Sequence, residues 1–175
     1  DSFSNIKSKI IFITAGNQGS HIINLLIKKI LVNLKKYHVI HQTGKNDISY
    51  FKKLEKNNSN YQAFDYLTAN DIGYILNKAE IIISRSGANT SQEIIALNKK
   101  SILIPLKGSQ QNEQLLNALW VKEKNPKITE IIEEKNLNEV IILEKINKLS
   151  LIKINNKNIK KENNLKLLDL IHEII

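Results

Sequence analysis

The amino-acid sequence predicts an α/β protein: a Rossmann-like, doubly wound parallel sheet of about six strands in a single domain. Three observations carry that expectation. Short apolar, β-branched runs alternate with segments of helical period, the order that builds βα units. Five of the six glycines, Gly16, Gly19, Gly44, Gly87 and Gly108, fall in the connections that follow apolar runs. The length of 175 residues suits one domain with a sizeable core.

The elements follow in order. "KIIFIT", Lys9 to Thr14, reads as a buried strand, and a helix is expected from about Ser20 to Leu34. "YHVIHQ" is the second strand, closed by Thr43 and Gly44, with a helix over Asp47 to Lys56. "YQAFDYL" is the third strand, followed by a short helix from Ile72 to Ala79. "EIIIS" is the fourth strand, with a helix from Thr90 to Leu97. "SILIPL" is the fifth, with a long helix from Gln111 to Lys124. "KITEII" is the sixth, and closing helices are expected over Leu137 to Lys148 and Leu165 to Ile174. The core then spans about residues 9–148, with a closing segment over 149–175. In such folds ligands bind beyond the carboxyl ends of the strands, where loops enter helix N-termini.

Composition narrows the chemistry. No cysteine is present, so disulfides and thiolate-bound metal are excluded. No apolar run approaches the ~20 residues that span a bilayer, which predicts a soluble chain. Asp1 to Lys9 lacks the apolar centre of a signal peptide. The absence of methionine suggests a segment cut from something longer. The formal charge of +9 has two readings. One is attraction to phosphate, nucleic acid or membrane headgroups. The other is compositional: 31 Ile, 25 Lys and 23 Asn are the residues an AT-rich coding sequence favours. The tail "KINNKNIKKENNLK" is the one concentrated basic run. Of 26 basic residues only Arg85 is an arginine.

Three loops could carry chemistry. "TAGNQGS" is not a dinucleotide fingerprint, since its glycines are spaced G-x-x-G and the second strand ends in His41-Gln42 instead of an acid. A phosphate or sugar at the following helix start remains open. In "SGANTSQE", Thr90 and Glu93 have the spacing of a capping box; alternatively Gly87 to Thr90 cradle a diphosphate and Glu93 accepts hydrogen bonds from a vicinal diol. The two readings compete for the Glu93 carboxylate and not for the backbone amides. "GSQQNEQLLNA" presents Gln110, Gln111, Asn112, Glu113, Gln114 and Asn117 at a helix start, suited to sugar hydroxyls or simply to a polar loop. No metal site is readable: His21, His38, His41 and His172 lack ligand spacing. His41 reads as a strand-end hydrogen bonder and Trp120 as a core residue.

In order, "TAGNQGSHIIN", "HQTGKND", "EIIISRSGANTSQEIIALNKKSILIPL" and "NEQLLNA" resemble the C-terminal half of the MurG family of glycosyltransferases, over roughly Lys9 to Lys148. The resemblance implies a GT-B fold of two Rossmann-like domains, of which residues 1–175 form the nucleotide-sugar donor-binding one; the N-terminal acceptor domain is absent from this chain. It implies transfer of N-acetylglucosamine from UDP-GlcNAc to lipid I in peptidoglycan synthesis, inverting and metal-independent, with no cofactor. By that likeness Gly87, Ala88, Asn89 and Thr90 lie by the diphosphate and Glu93 binds the ribose diol. Gln114, with Glu113 beside it, contacts the sugar; Asn17, Gln18 and Gly19 form an inter-domain loop; and the uracil sits near Tyr66 and Leu67. Arg85 braces the loop. The sequence departs from the family's usual Gly-Gly-Ser at Ala15-Gly16-Asn17, and from its Gln or His at Glu113, where a carboxylate repels the phosphates and could alter donor preference.

The resemblance also implies a peripheral position on the cytoplasmic face of the plasma membrane, with catalytic groups and the lipid-linked acceptor supplied by the absent half. Alone, the chain is expected to bind donor and turn over nothing. Two alternatives stand beside this reading. One is a separate donor subunit of a two-subunit N-acetylglucosaminyltransferase acting on another lipid-linked acceptor. The other is a non-catalytic basic domain that binds nucleic acid, which the lack of arginine outside the motif disfavours; no nucleic-acid partner is expected.

Overall fold

The computed structural model describes residue 3 and residues 5–154. The helix expected over Leu165 to Ile174 and most of the basic tail lie outside the described residues.

Six strands form one parallel sheet: β1 (Ile10–Thr14), β2 (His38–Gln42), β3 (Tyr61–Phe64), β4 (Ala79–Ser84), β5 (Lys100–Leu103) and β6 (Thr129–Ile131), in the order β3-β2-β1-β4-β5-β6. The central strands β1 and β4 are covered on both faces, which is why they read as near-continuous apolar runs, whereas the edge strand β3 alternates buried and half-buried positions. One face receives α1 (His21–Ile30), α2 (Ile48–Glu55) and α6 (Glu139–Leu151), whose Ile23, Ile27, Phe51, Ile142 and Ile146 pack on Ile11, Ile13, Ile81 and Ile83. The other receives α3 (Ala69–Lys78), α4 (Ala88–Ala96) and α5 (Glu113–Lys124), whose Ile75, Leu76, Ile94, Ala118 and Val121 pack on Phe12, Ile40, Ile82 and Leu103. Odd and even strand positions therefore separate into two cores, as the pleat requires.

Three expectations are corrected. The third helix begins at Ala69, not Ile72, because Thr68 and Asp71 close a capping box: Asp71 N–H donates to the Thr68 hydroxyl and Thr68 N–H to the Asp71 carboxylate. The long helix starts at Glu113 after a 3-10 turn over Gln110–Asn112, in which Gln111 and Asn112 both take left-handed backbone. Trp120 is not core: it is 40% exposed, beside the exposed Leu116 and Leu119. The inward positions of α5 go to Ala118 and Val121, small enough to let the helix lie close to the sheet.

Candidate functional site

The strand order reverses direction between β1 and β4, the switch point at which the loops from neighbouring strands lead to opposite faces and leave a crevice. A groove lies there. Its larger lobe, about 590 Å³, is walled by Ala15, Gly16, Gly19, Arg85, Gly87 and Gln114, among others. A smaller lobe of about 260 Å³, whose walls include Thr14, Asn17, Gln42, Ile72, Asn89 and Glu93, adjoins it, and Gly16 and Thr90 line both. A third cavity of about 570 Å³ opens at the opposite, amino ends of the strands among Lys9, Glu80, Lys99 and Lys100. There Lys100 and Lys9 reach Glu80 at 2.6 and 3.4 Å, and no helix N-terminus faces it.

The β1–α1 loop is set by polar contacts at the strand ends. Thr14 donates its hydroxyl to Gln42 Oε1 at 2.7 Å and accepts from Gly16 N–H at 3.1 Å. Gln42 Nε2 in turn donates to Asn17 Oδ1 at 3.3 Å. Beyond it, Gly19 and Gly44 meet back to back with φ of 71° and 76°. A Cβ on Gly19 would overlap the Thr43 carbonyl, and one on Gly44 the Gln18 carbonyl. Both the left-handed turn and the close approach demand glycine.

Behind these loops runs a buried polar chain. Asn24 donates Nδ2 to Thr43 O at 2.9 Å and to Asp47 Oδ2 at 2.7 Å, so its Oδ1 is left to accept. His41 Nε2–H therefore donates to Asn24 Oδ1 at 2.9 Å, and Nδ1 accepts from the Tyr61 hydroxyl at 2.9 Å. One neutral tautomer fills both partners, and burial holds the imidazole far down, at about 3, against the pull of Asp47. Burial also pushes the Tyr61 phenol up. Desolvation would raise the Asp47 carboxyl, but hydrogen bonds from Asn24 and His21 hold it below its ordinary value. His21 Nδ1 stands 3.0 Å from Asp47 at the rim of the larger lobe.

Helix α4 begins at the groove. Its N-cap is Gly87, with no side-chain cap, so the leading amides of Ala88, Asn89 and Thr90 have no intrahelical acceptor. This removes one of the alternatives for Thr90 and Glu93: Thr90 is the third residue of the helix, not its cap, and the capping box does not form. Glu93 lies one turn in, exposed on the wall of the smaller lobe, with no hydrogen bond or ion pair among the described residues. Partial desolvation raises its carboxyl above the ordinary value.

Arg85 joins three loops. Its guanidinium donates to Ile104 O at 3.0 Å, to Ser20 Oγ at 2.9 Å and to Glu134 Oε1 at 2.5 Å. Glu134 Oε2 also accepts from Lys107 N–H at 3.3 Å. The ion pair is 11% and 12% exposed on its two sides. One planar fork thus ties the β1, β5 and β6 ends to the β4 loop, a geometry that a lysine ammonium cannot span.

Ser86 hydroxyl donates to Gln114 O at 2.7 Å, and Asn117 Nδ2 donates to Ser86 O at 3.1 Å, which fixes α5 beside α4. Gln114 Oε1 accepts from Leu106 N–H at 2.9 Å, so its Nε2 hydrogens remain to donate. Asn17, Gln18, Gly19, Gly87, Asn89, Thr90, Glu93 and Gln114 are thus brought to one groove. Glu113 is exposed at the start of α5 and walls neither lobe, as do Tyr66 and Leu67 neither; Leu67 is 3% exposed within the second core. The apolar wall of the smaller lobe comes instead from Ile72 and Leu76 of α3. Sequence reading missed these two, the Thr14–Gln42 pair and Glu134. The hydroxyl-amide ending of two adjacent strands was the available signal for Thr14 and Gln42; nothing local marks Glu134.

A six-stranded doubly wound sheet with a groove at its switch point is a Rossmann-like α/β domain of the kind found in the GT-B fold. The profile of the glycosyltransferase family 28 C-terminal domain matches residues 10–174, and the chain belongs to that family. It is 36% identical over 151 residues to the UDP-N-acetylglucosamine--N-acetylmuramyl-(pentapeptide) pyrophosphoryl-undecaprenol N-acetylglucosamine transferase of Clostridium perfringens strain SM101, covering 84% of this chain and 41% of the relative. It is 33% identical to the protein of the same name from Clostridium novyi strain NT over 149 residues, 84% of this chain and 40% of the relative. The chain therefore spans about two fifths of the length of these curated relatives. Among solved structures, Acinetobacter baumannii MurG superposes with a TM-score of 0.71 at 20% identity, over 82% of this chain and 42% of that one.

Proposed function

We propose that this chain is the donor-binding half of a glycosyltransferase that transfers N-acetylglucosamine from UDP-GlcNAc to a lipid-linked muramyl-pentapeptide acceptor in peptidoglycan synthesis. The relatives' names supply the substrates. The observation that carries the reading is the uncapped start of α4 opening on the groove with the unpaired Glu93 one turn in. Free amides and the helix dipole attract a diphosphate, and a carboxylate with no internal partner is an acceptor for a ribose diol.

The chemistry follows from where charge develops. The acceptor hydroxyl attacks the anomeric carbon, with inversion, while the bond to the diphosphate breaks and negative charge grows on the leaving group. Amides of Ala88, Asn89 and Thr90 stabilise that charge without reorganising; a donor of this kind contributes ~3 kcal/mol. Gln114, held donor-outward by the Leu106 amide, offers its NH₂ to a sugar oxygen. Gly16 and Gly19 let the backbone of the β1–α1 loop approach the ligand, and Asn17 and Gln18 face the acceptor-bearing half. Glu113, exposed at the start of α5, and Tyr66 with Leu67, after the third strand, complete the proposed donor set. The base and acceptor pocket belong to the other half, and the assembled enzyme sits peripherally at the cytoplasmic face of the membrane. Among the described residues no helix is long and apolar enough to cross a bilayer.

Calorimetric titration with UDP-GlcNAc tests the reading, with UDP-GalNAc, NAD and an oligonucleotide as controls. UDP-GlcNAc should bind, and Glu93→Ala should weaken binding at least tenfold, since hydrogen bonds to a charged group contribute ~1.5–3 kcal/mol. A folded chain that ignores UDP-GlcNAc, or a Glu93→Ala variant that binds it unchanged, refutes it.

A further inference from the structure

The hydrogen bonds that set the β1–α1 loop run in one direction. Gly16 N–H donates to the Thr14 hydroxyl oxygen at 3.1 Å, and the Thr14 hydroxyl donates to Gln42 Oε1 at 2.7 Å. With its oxygen taken, Gln42 gives an Nε2 hydrogen to Asn17 Oδ1 at 3.3 Å. A carboxamide carries an acceptor on one side and donors on the other, so each bond fixes which way the next amide points. The relay ends on Asn17 Nδ2, whose hydrogens meet no acceptor among the described residues.

The inner members are buried and the last one is not. Thr14 and Gln42 close β1 and β2 as paired neighbours and are 6% and 1% exposed. Reversing the Gln42 amide would leave the buried Thr14 hydroxyl proton without its acceptor, which disfavours that orientation. Asn17 is exposed and walls the smaller lobe together with Asn89, Thr90 and Glu93. Asn89 and Thr90 are the second and third residues of α4, and Thr90 also lines the larger lobe. The locked donors and the free amides of α4 thus border the same junction between the lobes.

Resting on the donor-site reading above, we propose that Thr14 and Gln42 are positioning residues: they hold the Asn17 amide with its NH₂ toward an oxygen of the ligand's diphosphate, beside the α4 amides. A group that can only donate matches an oxygen that can only accept, and at a helix start that oxygen is a phosphate's. Turned over, the amide would set Oδ1 against the anion. Fixing the donor side before the ligand arrives removes the cost of ordering it on binding. Asn17 then serves the ligand as well as the boundary with the other half.

The test is calorimetric titration of the 175-residue chain with UDP-GlcNAc, UDP and uridine. Gln42→Glu keeps the shape and still accepts from Thr14, but its carboxylate cannot donate, so Asn17 turns NH₂ inward and Oδ1 to the groove. Thr14→Val breaks the relay at its start without adding charge. UDP-GlcNAc and UDP should bind about tenfold more weakly to Gln42→Glu and to Asn17→Ala, the effect of losing one hydrogen bond to a charged group, and several-fold more weakly to Thr14→Val. In an Asn17→Ala background, Gln42→Glu and Thr14→Val should each add less than about threefold, since they act through Asn17. Uridine, which lacks the diphosphate, should bind the variants nearly as well as the wild type. Melting curves show which variants are folded, and should Gln42→Glu not fold, Thr14→Val carries the same comparison. Losses of equal size in both backgrounds overturn the proposal, because the effect then does not pass through Asn17. So do parallel losses for uridine, which a relay that merely shapes the loop would give. A wild-type chain that binds none of the three ligands overturns the donor reading and this inference with it. Wild-type binding of UDP-GlcNAc that neither Gln42→Glu nor Thr14→Val weakens overturns this inference alone.

Discussion

Replacing Arg85 by lysine keeps the charge and removes the fork. The guanidinium makes three hydrogen bonds, to Ser20, Ile104 and Glu134, and an ammonium placed to pair with Glu134 gives up the other two. Hydrogen bonds to a charged group contribute ~1.5–3 kcal/mol each, and part of that returns through water because the pair is about one-tenth exposed. The net expectation for Arg85→Lys is a loss of ~2–4 kcal/mol in unfolding free energy. Arg85→Ala, which also strands Glu134 with only the Lys107 amide, should cost ~3–5 kcal/mol. Urea unfolding of the wild type, both variants, Glu134→Gln and the Arg85→Ala, Glu134→Gln double variant measures the terms and the coupling between the partners. The coupling should reach at least ~1 kcal/mol. Because the fork ties the walls of the larger lobe, UDP-GlcNAc binding should weaken in Arg85→Lys without any lost ligand contact. An Arg85→Lys variant within ~0.5 kcal/mol of wild type, or a coupling near zero, refutes the bracing role.

Two further outcomes follow from the loops. His41 is held at about 3 in the folded protein against ~6.5 unfolded, so between those values the unfolded chain binds one more proton and stability is lost as pH falls below about 6.5. From pH 7 to pH 5 the loss should be ~2 kcal/mol, at 1.36 kcal/mol per unit, measured by urea titration at both pH values; a His41→Gln variant with the same slope sinks the assignment. Gly44→Ala should cost well over the ~1–2 kcal/mol of a left-handed residue, since its Cβ meets the Gln18 carbonyl, and should weaken UDP-GlcNAc binding too; a melting temperature within ~2 °C of wild type, equivalent to about 0.5–1 kcal/mol at this size, contradicts it.

The central strands β1 and β4 were legible because burial on both faces writes them as apolar runs, and the groove was legible because glycines mark where those runs turn. Capping was not. Thr68 to Asp71 and Thr90 to Glu93 share one spacing, yet only the first closes a box; Gly87 starts α4 early and carries Thr90 past the cap position. Trp120 was misplaced because the period of α5 does not say which side faces the sheet when leucines stand on both. The pairing of Arg85 with Glu134 spans 49 positions, and no local pattern announces a contact at that range. Tyr66 and Leu67 were assigned from the family resemblance alone, and the apolar wall of the smaller lobe is supplied by Ile72 and Leu76 of α3.

The back-to-back glycines constrain what this domain can become. Since the turns after the first two strands approach so closely at Gly19 and Gly44 that a single Cβ on either would meet the other's main chain, a residue inserted at that contact would displace the opposite turn. Retuning of ligand choice has more room elsewhere on the rim: through the side chains that α3 presents, or through the segment between the fifth strand and α5, where Gln111 and Asn112 already occupy left-handed backbone.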